Sequence, residues 1–312
     1  MHSSAGSSSL SFSSLIQYAF FAIVVYVLAG APLSGLVSES YLGGSLGSGS
    51  RGGDDSVAQE KIDSLVVPEY GLECAEHAYK GVHVLSREPL VVYIEGFLSE
   101  GETKHVVSLS EPHFTPSTVW TAGQEKLDVK VRHSEKAQLP RDQSVKCIED
   151  RARRFQGWRP YVFIEKLWSQ RYGTGGHYTY HYDWATSTRT SGRISSFMVY
   201  VEANCTGGGT HFPRLQHPTP GSDKHEWCRF IECDTAQDNA VDPGLSEGII
   251  FKPVAGNAVY WENMRSDGSG YPESWHAGLP VKSGTKIGLN IWSWLQVGYE
   301  PNSDSEKGAE QE

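Results

Sequence analysis

Residues 171–184 read RYGTGGHYTYHYDW, and this stretch is the starting point for both the fold and the chemistry of the chain. Its second half is rich in aromatic residues, and we predict a β-strand over Tyr178–Trp184. His181 and Asp183 are separated by one residue, and alternate residues of a strand project from the same face. The two side chains are therefore expected to converge on one metal ion.

A third ligand is expected much further along the chain. His276, in SWHAGLPV, lies 95 residues after His181. Two histidines and one carboxylate form the ligand set typical of non-haem iron(II) oxygenases, which leaves three coordination positions open. A jelly roll can bring such distant segments together in space. A competing pair, His133 and Glu135, lies in the charged segment DVKVRHSEK without a comparable partner downstream, and we interpret it as surface.

The folded region is predicted to contain two helices followed by a run of strands. The first helix opens at Ser99–Glu102 and runs toward Leu109, and the second covers Asp142–Phe155. The segments with strand composition are Leu90–Ile94, Tyr161–Arg171, Tyr178–Trp184, Ile194–Glu202, Gly248–Phe251, Ala258–Trp261 and Lys286–Trp294. This order predicts a mainly β (α+β) fold, a double-stranded β-helix or jelly roll with supporting N-terminal helices.

The N-terminal region differs from the rest in composition. A Ser-rich segment, 1–14, precedes residues 15–37, LIQYAFFAIVVYVLAGAPLSGLV, which contain no charged residue. At about 1.5 Å per helical residue this stretch can cross a bilayer core, so we predict a single transmembrane signal-anchor. A cleaved signal peptide is the alternative, because the small residues at 29–31 suit signal peptidase, although Pro32 disfavours cleavage there.

Two polar segments flank the predicted catalytic domain, which spans residues 61–300. Residues 38–60 are Gly/Ser-rich, a composition that is typical of a flexible tether. Residues 301–312, PNSDSEKGAEQE, are polar and acidic, and we predict a disordered tail.

The charge of the chain argues against nucleic acid as its main partner. The formal net charge is −10 and the pI is about 5.6, whereas nucleic-acid binding usually requires a clustered positive surface. Arg151, Arg153 and Arg154 do cluster on the second predicted helix. We interpret them as a solvated helix face.

The five cysteines are an odd number, so at least one has no partner within the chain. Cys228 and Cys233 lie with Cys205 and several histidines in one segment, but their spacing lacks the second matched pair of a zinc site. We therefore favour a disulfide within residues 205–233 over zinc.

From about residue 91 to residue 294 the order of motifs resembles the prolyl 4-hydroxylase family of 2-oxoglutarate dioxygenases. RYGTGGHYTYHYDW is similar to the family signature Tyr-x-x-Gly-x-x-Tyr-x-x-His-x-Asp, with Tyr172, Gly175, Tyr178, His181 and Asp183 in the matching positions. VRHSEKAQLP resembles its Arg-x-Ser segment. GGGTHFPRL resembles its Gly-Gly-x-Thr-x-Phe-Pro motif, and SWHAGLPVKSGTK resembles its closing His-to-Lys segment.

The resemblance implies a role for several further side chains. Lys286 would pair with the distal carboxylate of 2-oxoglutarate, a charge-assisted contact that suits a dicarboxylate. It alternates with apolar residues and shares a strand face with Trp292. Tyr172 and Thr210 would help to position the cosubstrate, while Trp292 and Arg193 would line the substrate side. Core packing, or for Arg193 an ion pair with a nearby acid, is the alternative for these softer assignments.

The implied reaction is hydroxylation of peptidyl proline coupled to decarboxylation of 2-oxoglutarate, with Fe(II), O2 and ascorbate as the other cofactors. The substrate partner would be a proline-containing polypeptide, met in the lumen of the endoplasmic reticulum or Golgi by a membrane-anchored domain. The alternatives are the same chemistry on peptidyl lysine or a small metabolite, and a noncatalytic jelly-roll binding module. An insert at residues 216–242 is longer than in minimal family members, which leaves substrate preference open. Oligomeric state, and glycosylation of the sequon at Asn204, also stay open.

Overall fold

The fold is known from a computed structural model, which describes residues 54–69, 71–121, 124–157, 159–217, 227–233 and 247–301. The α-helices in these ranges are α1 (Asp54–Asp63), α2 (Glu100–Ser110) and α3 (Gln143–Phe155). The strands are β1 (Leu65–Val66), β2 (Gly81–Arg87), β3 (Leu90–Glu95), β4 (Thr115–Pro116), β5 (Val119–Thr121), β6 (Gln124–Lys126), β7 (Arg132–His133), β8 (Glu135–Gln138), β9 (Val162–Glu165), β10 (Trp168–Tyr172), β11 (His177–His181), β12 (Ser191–Gly207), β13 (Thr210–Phe212), β14 (Ile249–Phe251), β15 (Ala258–Glu262), β16 (His276–Gly278) and β17 (Val281–Gln296).

The described strands form two main antiparallel sheets. The large sheet has ten strands, in the order β2-β3-β15-β12-β17-β10-β8-β4, with β9 pairing with both β17 and β1. The small sheet has five strands, in the order β14-β13-β16-β11-β7. A separate β5–β6 hairpin completes the set. The predicted mainly β class is confirmed, and the two antiparallel sheets are consistent with a jelly roll.

The large sheet is covered on both faces, and strand β12 shows how its side chains divide. Phe197, Val199 and Val201 pack with α2 and α3 in one apolar cluster. Met198 and Tyr200, which alternate with them, belong to a second cluster shared with the small sheet. Because the side-chain period of a strand is two, every other residue of β12 faces the space between the sheets.

Both predicted helices are confirmed close to their expected ends. Ser99 caps α2, and its side chain and that of Glu102 form a reciprocal capping box. Asp142 caps α3 by accepting a hydrogen bond from the amide of Val145.

The predicted strand Tyr161–Arg171 is two strands, β9 and β10. Ile164 lies opposite Ser293 and Trp168 lies opposite Asn290, so four steps along one strand face three along the other. This extra residue is the local disruption that a β-bulge produces. Composition does not reveal it, because a bulge depends on the partner strand.

Strands β12 and β17 are longer than the apolar runs that predicted them. They pair with each other from Ser191 opposite Gln296 to Gly207 opposite Val281. Backbone hydrogen bonding therefore extends both strands beyond the predicted ranges Ile194–Glu202 and Lys286–Trp294 and includes polar residues at their ends.

The folded part begins before residue 61, because α1 includes residues 54–60 that composition assigned to the tether. Its sequence DDSVAQEKID contains no Gly or Pro, and Lys61 in the last turn complements the helix dipole. No helix in the described part of the chain is long and apolar enough to span a membrane. The predicted signal-anchor at 15–37 and residues 302–312 of the predicted tail lie outside the described residues.

Two disulfides are present, and one cysteine stays reduced. Cys228 pairs with Cys233, as favoured over zinc, and Cys74 pairs with Cys147 across 73 residues. Cys205 is free.

The interpretation of the arginine cluster on α3 as a solvated face was wrong for two of its three members. Arg151 donates to a carboxylate oxygen of Glu102 at 2.6 Å, and Arg153 is buried. Only Arg154 is largely exposed. Arg151 bonds to α2, and Arg153 reaches the carbonyl of Val66 in β1, contacts that sequence position alone did not indicate.

Candidate metal and cosubstrate site

His181, Asp183 and His276 come together, and one potential ligand atom from each lies within 4.8 Å of the others. No other group of three such side chains is found among the described residues. His181 ends β11 and His276 begins β16, and the two residues are directly opposite each other in the antiparallel pair. Direct cross-strand neighbours have closely spaced Cβ atoms, which is why the rings meet with centroids 4.3 Å apart.

Asp183 is placed differently from the prediction. The strand ends at His181, so Asp183 lies in the turn that follows and not on the same face of a continuous strand to Trp184. One carboxylate oxygen, Oδ1, is nevertheless 3.6 Å from Nε2 of His181. The turn that begins at Asp183 brings its carboxylate close to His181 and His276.

Both imidazoles present the same nitrogen to the shared space. Nδ1 of His181 lies 2.8 Å from the carbonyl of Thr179, and Nδ1 of His276 lies 2.9 Å from that of Ser274. A carbonyl only accepts, so Nδ1 donates in each ring and Nε2 is the nitrogen turned toward the shared space. This is the arrangement in which histidines bind metals.

The charges of the cluster also suit a cation. Burial, together with the neighbouring His181, lowers the pKa of His276 to about 4, so its imidazole is neutral at physiological pH. Burial alone would raise the pKa of Asp183, but His181 and His276 outweigh it and hold that pKa below its ordinary value. The cluster therefore offers two imidazole nitrogens and one carboxylate, the donor set of the iron(II) sites described above.

Lys286 is a fully buried cation. It is 0% exposed, and its ammonium donates to the carbonyl of Gly208 at 2.6 Å. No Asp or Glu of the described residues forms an ion pair with it. Burial lowers its pKa to about 8. A buried ammonium that lacks a counter-charge is stabilised by an anionic ligand, and a carboxylate supplies both the charge and the missing acceptors.

Tyr172 lies beside Lys286, and Thr210 is bonded to Tyr200. Tyr172 is opposite Lys286 in the β10–β17 pair, and the ammonium lies 4.7 Å from the centroid of its ring. Thr210 is buried, and its hydroxyl oxygen accepts a hydrogen bond from Tyr200 at 2.8 Å. Because Tyr200 is the donor, the Thr210 proton stays available for another acceptor.

Trp292 and Arg193 are in contact with each other. The Arg193 guanidinium lies 3.8 Å from the centroid of a Trp292 ring and forms two hydrogen bonds with Glu165, at 2.7 and 3.1 Å. The ion-pair alternative for Arg193 is therefore present in the structure. The Trp292 indole donates to Oδ2 of Asp183 at 3.1 Å, so this ring contacts one of the three clustered side chains.

Sequence reasoning missed several side chains that shape the site. Glu165 is buried between Arg193 and Lys61. The ring of Tyr178 stacks on His181 with centroids 3.8 Å apart, and the Arg132 guanidinium lies 4.7 Å from the centroid of the same ring. Tyr178 stands in the signature, but its stacking on the adjacent ligand is a tertiary contact that the motif does not reveal.

Comparisons with known proteins also indicate an Fe(II)- and 2-oxoglutarate-dependent oxygenase. Residues 167–294 match the family model of the 2OG-Fe(II) oxygenase superfamily. Prolyl 4-hydroxylase 5 of Arabidopsis thaliana is 32% identical over 220 residues, which cover 68% of this chain and 70% of that protein. Prolyl 4-hydroxylase subunit alpha-3 of Homo sapiens is 28% identical over 220 residues, which cover 67% of this chain and 34% of that protein.

Among solved structures, the fold aligns with viral collagen prolyl hydroxylase of Paramecium Bursaria Chlorella virus-1 in its 2OG complex. The TM-score is 0.47 at 23% identity, covering 66% of this chain and 96% of that one.

The family expected from the motifs is confirmed by the sequence relatives. The match to the Arabidopsis protein covers more than two thirds of both chains at over 30% identity. The family model spans the segments that carry His181, Asp183, His276 and Lys286. The chain belongs to the prolyl 4-hydroxylase family and is a 2-oxoglutarate- and Fe(II)-dependent dioxygenase.

Proposed function

We propose that this chain hydroxylates proline residues of a polypeptide, with Fe(II) held by His181, Asp183 and His276 and 2-oxoglutarate anchored by Lys286. The observation that carries the proposal is that two imidazole nitrogens and a carboxylate cluster in the same fold as a fully buried lysine, which forms no ion pair with any acid of the described residues. A metal-binding cluster without such a lysine would suit many metalloproteins, and a buried lysine without the cluster would suit many anion sites. Together they match an enzyme that needs both a metal and a dicarboxylate.

When bound, Fe(II) and 2-oxoglutarate supply the oxidation: O2 is reduced, 2-oxoglutarate becomes succinate and CO2, and one oxygen atom enters a C–H bond of the substrate. The protein contributes binding, orientation and exclusion of water. The backbone carbonyls of Thr179 and Ser274 hold Nε2 of each histidine toward the metal position. Lys286 neutralises the distal carboxylate of the cosubstrate.

The alternation of side chains along β17 supports this role for Lys286. Ile287, Leu289 and Ile291 belong to the apolar cluster on the helix side of the large sheet. Lys286 and Trp292 therefore face the opposite side, toward the small sheet that carries the histidines. Tyr172 and Thr210 would add contacts to the same carboxylate.

The substrate side is proposed to lie at the half-exposed surface formed by Trp292, Arg193 and Tyr178. Flat aromatic rings suit the rigid, apolar ring of proline. Arg193 is held by Glu165 and by the Trp292 ring, so its role there is to support the indole and to present the edge of its guanidinium. We also propose ascorbate as a cofactor, following the family resemblance.

We propose that the domain works in the lumen of the endoplasmic reticulum or Golgi, attached by the apolar segment 15–37. Disulfides persist in oxidising compartments, and the Cys74–Cys147 and Cys228–Cys233 bonds are consistent with such a location. A tagged full-length chain should resist extraction by carbonate and should be protected from protease in intact microsomes. Release into the soluble fraction would contradict the anchor.

A coupled assay tests the substrate. The full-length chain in detergent, with Fe(II), 2-oxoglutarate and ascorbate, is offered a proline-rich peptide and a matched peptide with alanine in place of proline. We expect succinate and hydroxyproline to appear in equal amounts with the first peptide, and fragment mass spectrometry to place the oxygen on proline. Oxygen on lysine, or succinate that does not depend on the peptide, would reject the prolyl substrate.

The pKa of Lys286 predicts a pH dependence for cosubstrate binding. The carboxylate binds the charged form, so binding raises this pKa, and affinity is steady below about pH 8 and falls above it. The loss approaches tenfold per pH unit. Burial raises the pKa of the nearby Cys205 thiol above its ordinary value. Calorimetric titration of the Zn(II)-loaded protein with 2-oxoglutarate from pH 6.5 to 9.5 measures the effect, and flat affinity through pH 9 would contradict it.

A further inference from the structure

A chain of buried hydrogen bonds ends on the carboxylate of Asp183. The indole nitrogen of Trp261 donates to Oδ1 of Asn263 at 2.9 Å, and Nδ2 of Asn263 donates to Oγ of Ser196 at 2.8 Å. Ser196 then donates to Oδ2 of Asp183 at 2.6 Å. Trp261 is 3% exposed, and Asn263 and Ser196 are 0% exposed.

The donor-to-acceptor direction of this series of hydrogen bonds is fixed by the groups at its two ends. An indole N–H can only donate, so the Asn263 side chain must turn its oxygen toward Trp261 and its NH2 group toward Ser196. A carboxylate can only accept, so the single Ser196 proton goes to Asp183. The series of hydrogen bonds therefore has one consistent arrangement of donors and acceptors. Reversing the Asn263 amide would break two of the bonds.

The large sheet places these side chains in a row. Ser196 lies directly opposite Trp261 on β15 and directly opposite Trp292 on β17. All three face the small sheet by strand alternation. The row thus delivers two donors, Ser196 and the Trp292 indole, to one oxygen of Asp183.

Asp183 needs such support more than the histidines do. His181 and His276 are held by direct cross-strand pairing, whereas Asp183 lies in a turn beyond the end of β11. The two hydrogen bonds occupy its Oδ2 and leave Oδ1 facing Nε2 of His181. Rotation of the carboxylate is thereby restricted by side chains from the other sheet.

Trp261 also reaches a second ligand. Its ring packs edge-on against the His276 ring, with centroids 4.8 Å apart. The same residue therefore contacts one proposed ligand directly and a second one through Asn263 and Ser196.

We infer that Ser196, Asn263 and Trp261 are positioning residues that hold Asp183 in the orientation required for one-oxygen binding of the metal. The inference rests on the proposed function, because it takes Asp183 as a metal ligand. Partners that orient ligands commonly contribute about 10- to 100-fold to metal affinity. Ser196→Ala removes both the donor to Asp183 and the acceptor for Asn263, so circular dichroism and a melting temperature accompany every binding measurement.

The test measures Co(II) binding to the full-length chain, by calorimetry and by visible absorbance. We expect Ser196→Ala to weaken Co(II) affinity by about 10- to 100-fold and to change the Co(II) spectrum. Trp261→Phe keeps a ring against His276 but removes the indole N–H, and a smaller loss in the same direction is expected. Ser169→Ala is the matched control, since Ser169 is equally buried but bonds to Ser110 on the helix side.

The outcomes separate the inference from the proposed function. If Ser196→Ala binds Co(II) with the affinity and spectrum of the natural chain, while Asp183→Ala has lost binding, the positioning role is wrong and the metal assignment stands. An equal loss in Ser169→Ala would also overturn it, because the effect would then be general destabilisation. If the natural chain binds no Co(II), or Asp183→Ala binds it normally, the metal assignment fails and the inference fails with it.

Discussion

Replacing His181, Asp183 or His276 with alanine is expected to abolish 2-oxoglutarate turnover in a protein that still folds. Each change removes one of three protein ligands, and their atoms lie within 4.8 Å of one another. The remaining two side chains cannot hold the ion in the same position, so both metal affinity and catalysis are lost together. Succinate formation with saturating Fe(II) measures the result, and we expect it to fall to the level of heat-denatured protein.

The control for this series is His133→Ala. His133 is exposed on β7, and its removal should leave succinate formation unchanged. His276 is 6% exposed and packs against Phe212, so His276→Asn should accompany His276→Ala to separate lost packing from lost ligation. Circular dichroism confirms folding for each variant. Near-normal turnover by a folded variant of any of the three residues would refute the proposed ligand set.

Lys286→Ala and Lys286→Met are expected to raise the 2-oxoglutarate concentration required for half-maximal rate by about 10- to 150-fold. A hydrogen bond to a charged group contributes about 1.5–3 kcal/mol, which corresponds to that range. Lys286 is buried and has no acidic partner among the described residues, so its ammonium can form an ion pair with the carboxylate of a bound ligand. The rate at saturating cosubstrate should change far less, because Lys286 lies outside the proposed metal ligands.

Lys286→Met is expected to weaken 2-oxoglutarate binding but to raise the stability of the folded protein. Burial lowers the pKa of Lys286 to about 8, so the folded protein is penalised for charging it below that pH, and this penalty fades as the pH rises. Methionine fills a similar volume without a charge, so Lys286→Met should melt at a higher temperature at pH 7 while binding 2-oxoglutarate more weakly. Lys282→Ala, an exposed change on the same strand, is the control. An unchanged cosubstrate requirement in both Lys286 variants would rule out the anchor.

Local pattern was sufficient for many features of the fold. The cap at Ser99 and the start at Asp142 predicted both helices, because caps are encoded within a few residues. Apolar runs located the central strands for the same reason. The break between β9 and β10 was missed, because it depends on how β17 pairs with each of them.

The site was predicted only in part. The spacing of His181 and Asp183 identified two candidate ligands, but the reason given, one face of one strand, was incomplete, since the strand stops before Asp183. Arg193 was expected at the substrate side, and its bond to Glu165 links residues 28 positions apart in sequence. Glu165 itself has no sequence signal, because buried acids and surface acids look alike in a single chain.

By itself the sequence determined which donor atoms are available: two imidazoles, one carboxylate and one lysine, on segments whose period and turns favour a jelly roll. Tertiary structure alone decided how those atoms are held. The orientation of Asp183 depends on Ser196 and Trp292, and the lowered pKa of Lys286 depends on its complete burial. The physical reason is that the direction of a hydrogen bond and the desolvation of a buried charge depend on neighbouring residues from other strands. The sequence of one strand does not identify those neighbours.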